Sequence, residues 1–293
     1  MTTSFRSFVV LQGWAVVDGY QPDGDTVRFV PDELRAFESL ERSHLASFGH
    51  DTSVCVRLEG IDAPELHYEG AQQPAAKPAL DAILRGIHWP SEPLVAMHEG
   101  KAGKGRSGSV PRGVRVAVLT KGCDSHGRAI GYVFADEIAK AKPSAAELVH
   151  VDALARCVNA QLVTSGVVYP LAYDSQPPAH RALFRSLAGK ARDARAGVWG
   201  RDASRTGFVL RSAESLGPHG ALVVPKLFRR SVTFFRDAAR GMSFCAWLRD
   251  KSGADDEVSV GGGPLRKLST WLRESGDRVR LGADVLEMVF AET

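Results

Sequence analysis

Short β-patterned runs, set apart by turn signals or long connections, most constrain the fold of this 293-residue chain. From Phe8 to Val30 the pattern is strand, turn, strand. FVVLQGWAVVDGY is rich in β-formers, PDGD is a turn signal and TVRFV is β again. In CVRLEGIDAPE, residues 55–65, Val56 and Leu58 alternate with Cys55, Arg57 and Glu59 as in a half-buried strand. VRVAVLT and AIGYVFAD form a hairpin across KGCDSHGR. Helical periodicity fills the connections. PAAKPALDAILRG, residues 74–86, places Ala76, Leu80, Ile83 and Leu84 on one face. Ser144 and Glu147 form a capping box ahead of DALARCVNAQLVTSG, a helix that stops at Gly166. AHRALFRSLAGKARDARAG carries Leu183, Phe184, Leu187 and Ala191 on a face and ends at Gly197. The sum is about five strands interrupted and followed by three helices. This α+β order asks for a small antiparallel barrel with helices packed on it. An OB-type five-stranded barrel is one such solution, and it commonly binds nucleic acid or sugars.

Residues 204–293 read as a second, smaller α+β region after a domain spanning 1–203. LVVPKLFRRSVTFFRDAARG is a helix with apolar Leu227, Phe228, Val232 and Phe235. SFCAWLRD and PLRKLSTWLRESG read as short helical pieces, and DRVRLGADVLEMVFAE as strand-like alternation. Phe228, Phe234, Phe235, Trp247 and Trp271 are expected in the core. Lys226, Arg229, Arg230, Arg236 and Arg240 give the first helix a basic side. Two roles fit it: a packing extension of the barrel, or recruitment of a nucleic acid or a protein partner.

Composition removes some classes. The four cysteines make no CxxC pair and no His cluster stands beside them, so a structural zinc site is not expected and the thiols read as reduced core residues. The apolar run in MTTSFRSFVVLQGW is too short for a signal-peptide core, and no stretch reaches transmembrane length. A soluble, cytoplasmic chain without membrane partners is the expectation. The net charge of +3 selects no partner class, but residues 99–115 hold Lys101, Lys104, Arg106, Arg112 and Arg115 against the single acid Glu99. That Gly- and Ser-rich stretch is a solvated loop or a phosphate-backbone contact.

The turn after Leu58 raises the chemical question, because a strand end needs neither Arg57 nor the carboxylates of Asp62 and Glu65. Phosphodiester cleavage uses all three types. A carboxylate takes a proton from water, cations gather round the charged phosphorus centre, and arginine meets two phosphate oxygens with its planar fork. Carboxylates can also hold a hard divalent metal. Asp25 in PDGDTVRF and Arg128 in DSHGRAIGY add to the set. Singly, each has a plain alternative: Asp23 and Asp25 as turn residues, Arg57 as a solvent-facing strand residue, Glu65 as a loop start, Arg128 as a hairpin cation. His67 and Tyr68 are loop surface or flank the scissile strand.

Taken together, GDTVRF (24–29), VRLEGIDAPE (56–65), GRAIGYVFAD (127–136), VNAQLVTSG (158–166) and AGVWG (196–200) resemble the staphylococcal nuclease family, in its order and over roughly residues 8–200. The resemblance implies an OB-type barrel with three helices and calcium-dependent cleavage of DNA and RNA. It matches Asp25 and Asp62 to the metal-binding carboxylates, the Ala63 carbonyl to a third metal contact, Glu65 to the general base, and Arg57 and Arg128 to the phosphate clamp. Insertions fall near 31–52, 99–113 and 137–150. Ser125-His126 stands where the best-known members carry Lys-Tyr, so His126 takes the place of an aromatic near the nucleotide. Tyr169 and Tyr173 lie near the nucleotide-stacking tyrosines, out of clean register. Substrate contacts are therefore expected from Lys101, Lys104, Arg106, His126, Tyr169 and Tyr173. The competing reading is a catalytically silent module that binds nucleic acid or protein, as some relatives do. The presence of Asp25, Arg57, Asp62, Glu65 and Arg128 favours an enzyme, while the 31–52 insertion could cover the cleft.

Overall fold

Every second residue of the strand Val54–Leu58 is buried, with Cys55 and Arg57 on the opposite face, and that alternation is what a closed sheet requires. In the computed structural model, which describes residues 7–17, 20, 22–89, 113–237 and 241–292, this strand (β3) joins four others in a closed barrel. β1 (Val9–Val16) pairs antiparallel with β2 (Thr26–Pro31), and β2 with β3. β4, Ile61–Asp62, follows β3 outside the barrel. The expected hairpin is β5 (Gly113–Cys123) and β6 (Ala129–Phe134). β5 returns to β1 antiparallel, and β3 meets β6 in parallel. Phe29, Val54, Val56, Val116 and Phe134 of these strands are fully buried and fill the barrel.

The chain divides into two compact units: Met1–Pro22, Thr26–Glu59 and Ala82–Asn159 form one, and Asp23–Asp25, Gly60–Asp81 and Ala160–Thr293 the other. The barrel belongs to the first. There the 31–52 insertion forms two 3-10 turns, Leu34–Ser39 and Ser43–Leu45. It lies along β5 and its hairpin: Glu41 N donates to Lys121 O at 2.8 Å, and Ser47 N to Gly127 O at 2.9 Å. Phe37 is buried and meets the ring of Phe48 edge-on at 4.9 Å.

The helix expected over 74–86 is present as Ala76–Gly86, and the one expected in AHRALFRSLAGKARDARAG as Pro178–Asp193. The capping box of Ser144 and Glu147 also forms, but it opens only the short helix Ala145–Leu148. The continuous helix expected through DALARCVNAQLVTSG is instead broken into Val151–Leu154 and Val158–Thr164. Asn159 stands just past the break and is fully buried. Its Oδ1 accepts from Val133 N at 3.0 Å, and its Nδ2 donates to Glu59 O at 2.9 Å and Gly131 O at 3.1 Å. One side chain thus satisfies three backbone groups where the parallel β3–β6 pair ends, a need that local periodicity does not register.

In the second unit, β4 pairs with β7 (Tyr169–Pro170), setting Asp62 opposite Tyr169. β8 (Ala172–Tyr173) lies parallel to the last strand, and β9 (Phe208–Val209) pairs with β13. The remaining strands are β10 (Glu257–Val260), β11 (Arg266–Lys267), β12 (Leu272–Ser275), β13 (Arg278–Leu281) and β14 (Met288–Phe290). The helix expected in LVVPKLFRRSVTFFRDAARG is found as Pro225–Arg236, and SFCAWLRD gives Phe244–Asp250. PLRKLSTWLRESG does not form the helical piece its spacing suggests. It folds as β11, a 3-10 turn and β12. Leu268 and Leu272 are four apart and both buried, yet Leu272 pairs with Leu281 across a sheet. Tertiary pairing overrides the local period. One core runs from Tyr169, Leu171 and Val198 to Phe228, Trp247 and Phe290, so residues beyond 203 share apolar packing with residues before it. Among the described residues no helix is long and apolar enough to cross a membrane.

Candidate active site

Gly60 shapes the turn that delivers the carboxylates. Its φ of +80° lies in the left-handed region, and an added Cβ would meet Gln176 Nε2 at 2.7 Å. The backbone angle strains any other residue here. β4 follows at once and buries Asp62 to 2% exposure. Asp25, at 4% exposure, joins it from the PDGD turn, and its Oδ2 accepts from Ala63 N at 3.1 Å. Gly24 packs against Ala63 and Ala79, where a Cβ would fall 2.7 Å and 2.8 Å from their methyl carbons. Glu65 follows buried Pro64, and its backbone N–H donates to Gln73 Oε1 at 3.1 Å. The sequence thus brings Asp25, Asp62, Ala63 and Glu65 together within one unit.

Their electrostatics are those of crowded, dehydrated carboxylates. Burial pushes Glu65 up to about 7, the neighbouring charges of Asp62 and Asp25 push the same way, and Arg229 opposes them. Arg229 is the site residue that sequence reasoning did not single out. Its Nη1 donates to Asp62 Oδ1 and its Nη2 to Asp62 Oδ2, each at 3.0 Å, and Nη1 also donates to Glu65 Oε1. This is a two-pronged arginine–carboxylate pair shared with a second carboxylate. Burial works against the guanidinium's charge, but Asp62 and Glu65 more than offset it and hold Arg229 well above its ordinary range. The sequence signal was faint: a basic helix stripe whose partners lie more than 160 residues away.

The rest of that basic stripe is also paired. Lys226 and Arg230 both reach Asp256 at 3.0 Å, and Arg236 binds Glu69. Arg240 lies outside the described residues.

The two arginines expected at the phosphate lie in the barrel unit. Arg57 sits on β3 opposite Thr26 of β2 and Ile130 of β6, on the face away from the barrel interior. Arg128 closes the β5–β6 hairpin. Asp124 organises this turn: its Oδ1 accepts from the N–H groups of His126 (3.0 Å) and Arg128 (2.9 Å), while its Oδ2 accepts from Arg128 Nε at 2.8 Å. Asp124→Ala should therefore cost about 0.5–1.5 kcal/mol, the net worth of a hydrogen bond in a turn that water can reach. Urea unfolding reads it, and an unchanged midpoint would contradict this account of the turn. His126 itself points outward, its side chain 76% exposed.

The other expected substrate contacts fare differently. Tyr169 is 1% exposed, stacked edge-on to Trp199, with its hydroxyl donating to Asp202 at 3.0 Å. Tyr173 packs its ring 6.2 Å from that of Phe290. Lys101, Lys104 and Arg106 lie outside the described residues, and Arg115 of β5, from the same basic stretch, is paired with Asp32. Among the described residues no group of three or more His, Cys, Asp or Glu side chains is arranged to hold a metal ion. Asp25, Asp62, Glu65 and the Ala63 carbonyl are all hard oxygen donors, which fits calcium or magnesium by chemistry. In this conformation the oxygens of Asp62 and one oxygen of Glu65 are turned to Arg229.

The model of the staphylococcal nuclease homologue family matches residues 55–201, half of the chain. No curated protein matches it.

Proposed function

The chain belongs to the staphylococcal nuclease homologue family, and from that premise we propose that it is a calcium-dependent phosphodiesterase acting on DNA or RNA. The observation that carries this reading is the convergence of Asp25, Asp62 and Glu65 in one largely buried cluster, in a chain that also carries Arg57 and Arg128. Three carboxylates kept out of water are costly to the fold, and an arrangement that serves packing alone would not gather them.

In the proposed reaction, Asp25, Asp62 and the Ala63 carbonyl would hold the divalent ion, which when bound would supply charge neutralisation and an oriented water. Glu65 takes the proton from the attacking water. Its elevated proton affinity suits a general base working near neutral pH. Arg57 and Arg128 bind the phosphate oxygens and tighten as negative charge accumulates, so they act on the transition state more than on binding. Asp124 fixes the hairpin that presents Arg128. His126, exposed beside it, is available to a sugar or base. Tyr169 is given a packing role in this reading, since its ring and hydroxyl are both engaged inside. Lys101, Lys104 and Arg106 are assigned to backbone affinity without sequence reading.

The test is cleavage of single-stranded DNA and RNA by the whole protein with millimolar calcium, with magnesium and with chelator. Calcium-dependent cleavage should fall at least about 10²-fold in Glu65→Ala, the scale of a lost acid–base group. Nucleic acid bound but uncut under every condition, with Arg229 both present and replaced, would favour the catalytically silent module.

A further inference from the structure

The helix Pro225–Arg236 does more than pack. Arg229, Thr233 and Arg236 recur at intervals of four and three residues and so share one face. Each meets the segment that carries the carboxylate turn. Arg229 takes Asp62 and Glu65, Thr233 Oγ1 lies 3.3 Å from Tyr68 Oη, and Arg236 binds Glu69. Just ahead of the helix, Val223 O accepts from Gln73 Nε2 at 2.9 Å, and Gln73 Oε1 in turn accepts from the backbone of Glu65. Residues 62–73 are therefore clasped at five points by one short stretch of the C-terminal region.

We propose that Arg229 is an internal cation that competes with the divalent metal for Asp62 while also holding Glu65, so that this helix gates metal entry to the site. The inference rests on the nuclease reading for the identity of the metal-binding carboxylates. The guanidinium satisfies both oxygens of Asp62, a hard donor a calcium ion would need, and one of Glu65. Asp62 cannot serve both cations at once, because a second positive charge would meet the first at contact distance while both Asp62 oxygens are already engaged. Binding of metal thus requires Arg229 to leave, and its apparent affinity is reduced by the fraction of molecules in which the arginine has withdrawn. Arginine suits this role better than lysine, since only its planar fork engages Asp62 at two points while still reaching Glu65.

The experiment is calorimetric titration of calcium into the whole protein, in wild type, Arg229→Ala, Arg229→Lys and the double variant Asp62→Asn/Arg229→Ala, with cleavage measured in parallel. Arg229→Ala should bind calcium at least about tenfold more tightly than wild type, as expected when a closed state populated ten to one is removed. The double variant should lose that gain. Should Arg229→Ala fail to fold without calcium, folding restored by millimolar calcium supports the proposal equally, because the metal then replaces the missing charge. Arg229→Lys, which keeps a cation but not the fork, should bind calcium several-fold more tightly. Equal calcium affinity in wild type and Arg229→Lys, with Arg229→Ala either equal or unfolded throughout, overturns the proposal. The two readings fail separately. Tight calcium binding without cleavage in Arg229→Ala would leave the gate standing and remove the nuclease, whereas wild-type cleavage with unchanged affinity across the variants would do the reverse.

Discussion

A chain cut after residue 203 should lose its cooperative unfolding transition and expose apolar surface. One core cluster of the second unit joins Tyr169, Leu171 and Val198 to a majority of buried members, from Phe208 to Phe290, that lie beyond that point. β7 and β8 would remain, but β8 would lose β14, its parallel partner. Uncovering each large core side chain forfeits about 1.5–3 kcal/mol. Asp62 and Glu65 would also lose Arg229, and a buried ion pair deprived of one partner costs about 3–5 kcal/mol. Together these losses approach the whole stability of an ordinary domain, about 5–15 kcal/mol. Thermal unfolding followed by circular dichroism, together with hydrogen exchange in residues 60–81, checks this. A truncated protein that melts as sharply and as hot as the full chain would return the C-terminal region to the status of an independent appendage.

The second large effect concerns Arg128. Arg128→Ala should reduce calcium-dependent cleavage by about 10²–10³-fold, the usual cost of removing one donor from a developing anionic charge. Calcium affinity and nucleic-acid affinity should change little, because the loss falls on the transition state. The Arg128 side chain is about one-third exposed and its partner Asp124 lies in the same turn, so the fold should survive the substitution. Single-turnover rates on a short single-stranded substrate separate the cases. A loss of only a few-fold would make Arg128 a hairpin cation, and a loss of binding equal to the loss of rate would make it a ground-state contact. Arg57→Ala is expected to behave alike.

What local pattern could convey, it conveyed. The alternation of Val56 and Leu58 against Cys55 and Arg57 is a period-2 signal, and β3 buries those residues. Ser144 and Glu147 advertise their cap through side-chain chemistry alone, and the cap forms. The failures share a cause. Asn159 serves three backbone groups distant in sequence, and Leu272 finds its partner in Leu281, so neither outcome is written in the local period. For the site, the turn after Leu58 signalled chemistry because Asp62 and Glu65 have no business at a strand end. Arg229 carried no such mark. A helical arginine beside Arg230 reads as one face of a solvated helix, and only tertiary structure decides that it turns inward to Asp62 while Arg230 turns to Asp256.

The second unit is assembled from three separate lengths of chain, Asp23–Asp25, Gly60–Asp81 and Ala160–Thr293, and this bears on birth as well as on the finished molecule. Translation delivers the carboxylate turn long before the helix that clasps it. At roughly 5–20 residues per second, a ribosome needs roughly 8–30 s to pass from Glu65 to Arg229. For that interval the nascent chain carries its acidic cluster without its arginine, and in the last part of it the apolar side of Tyr169 and Leu171 without its cover. A metal ion or a chaperone encountered then meets a different surface from the one the completed chain presents.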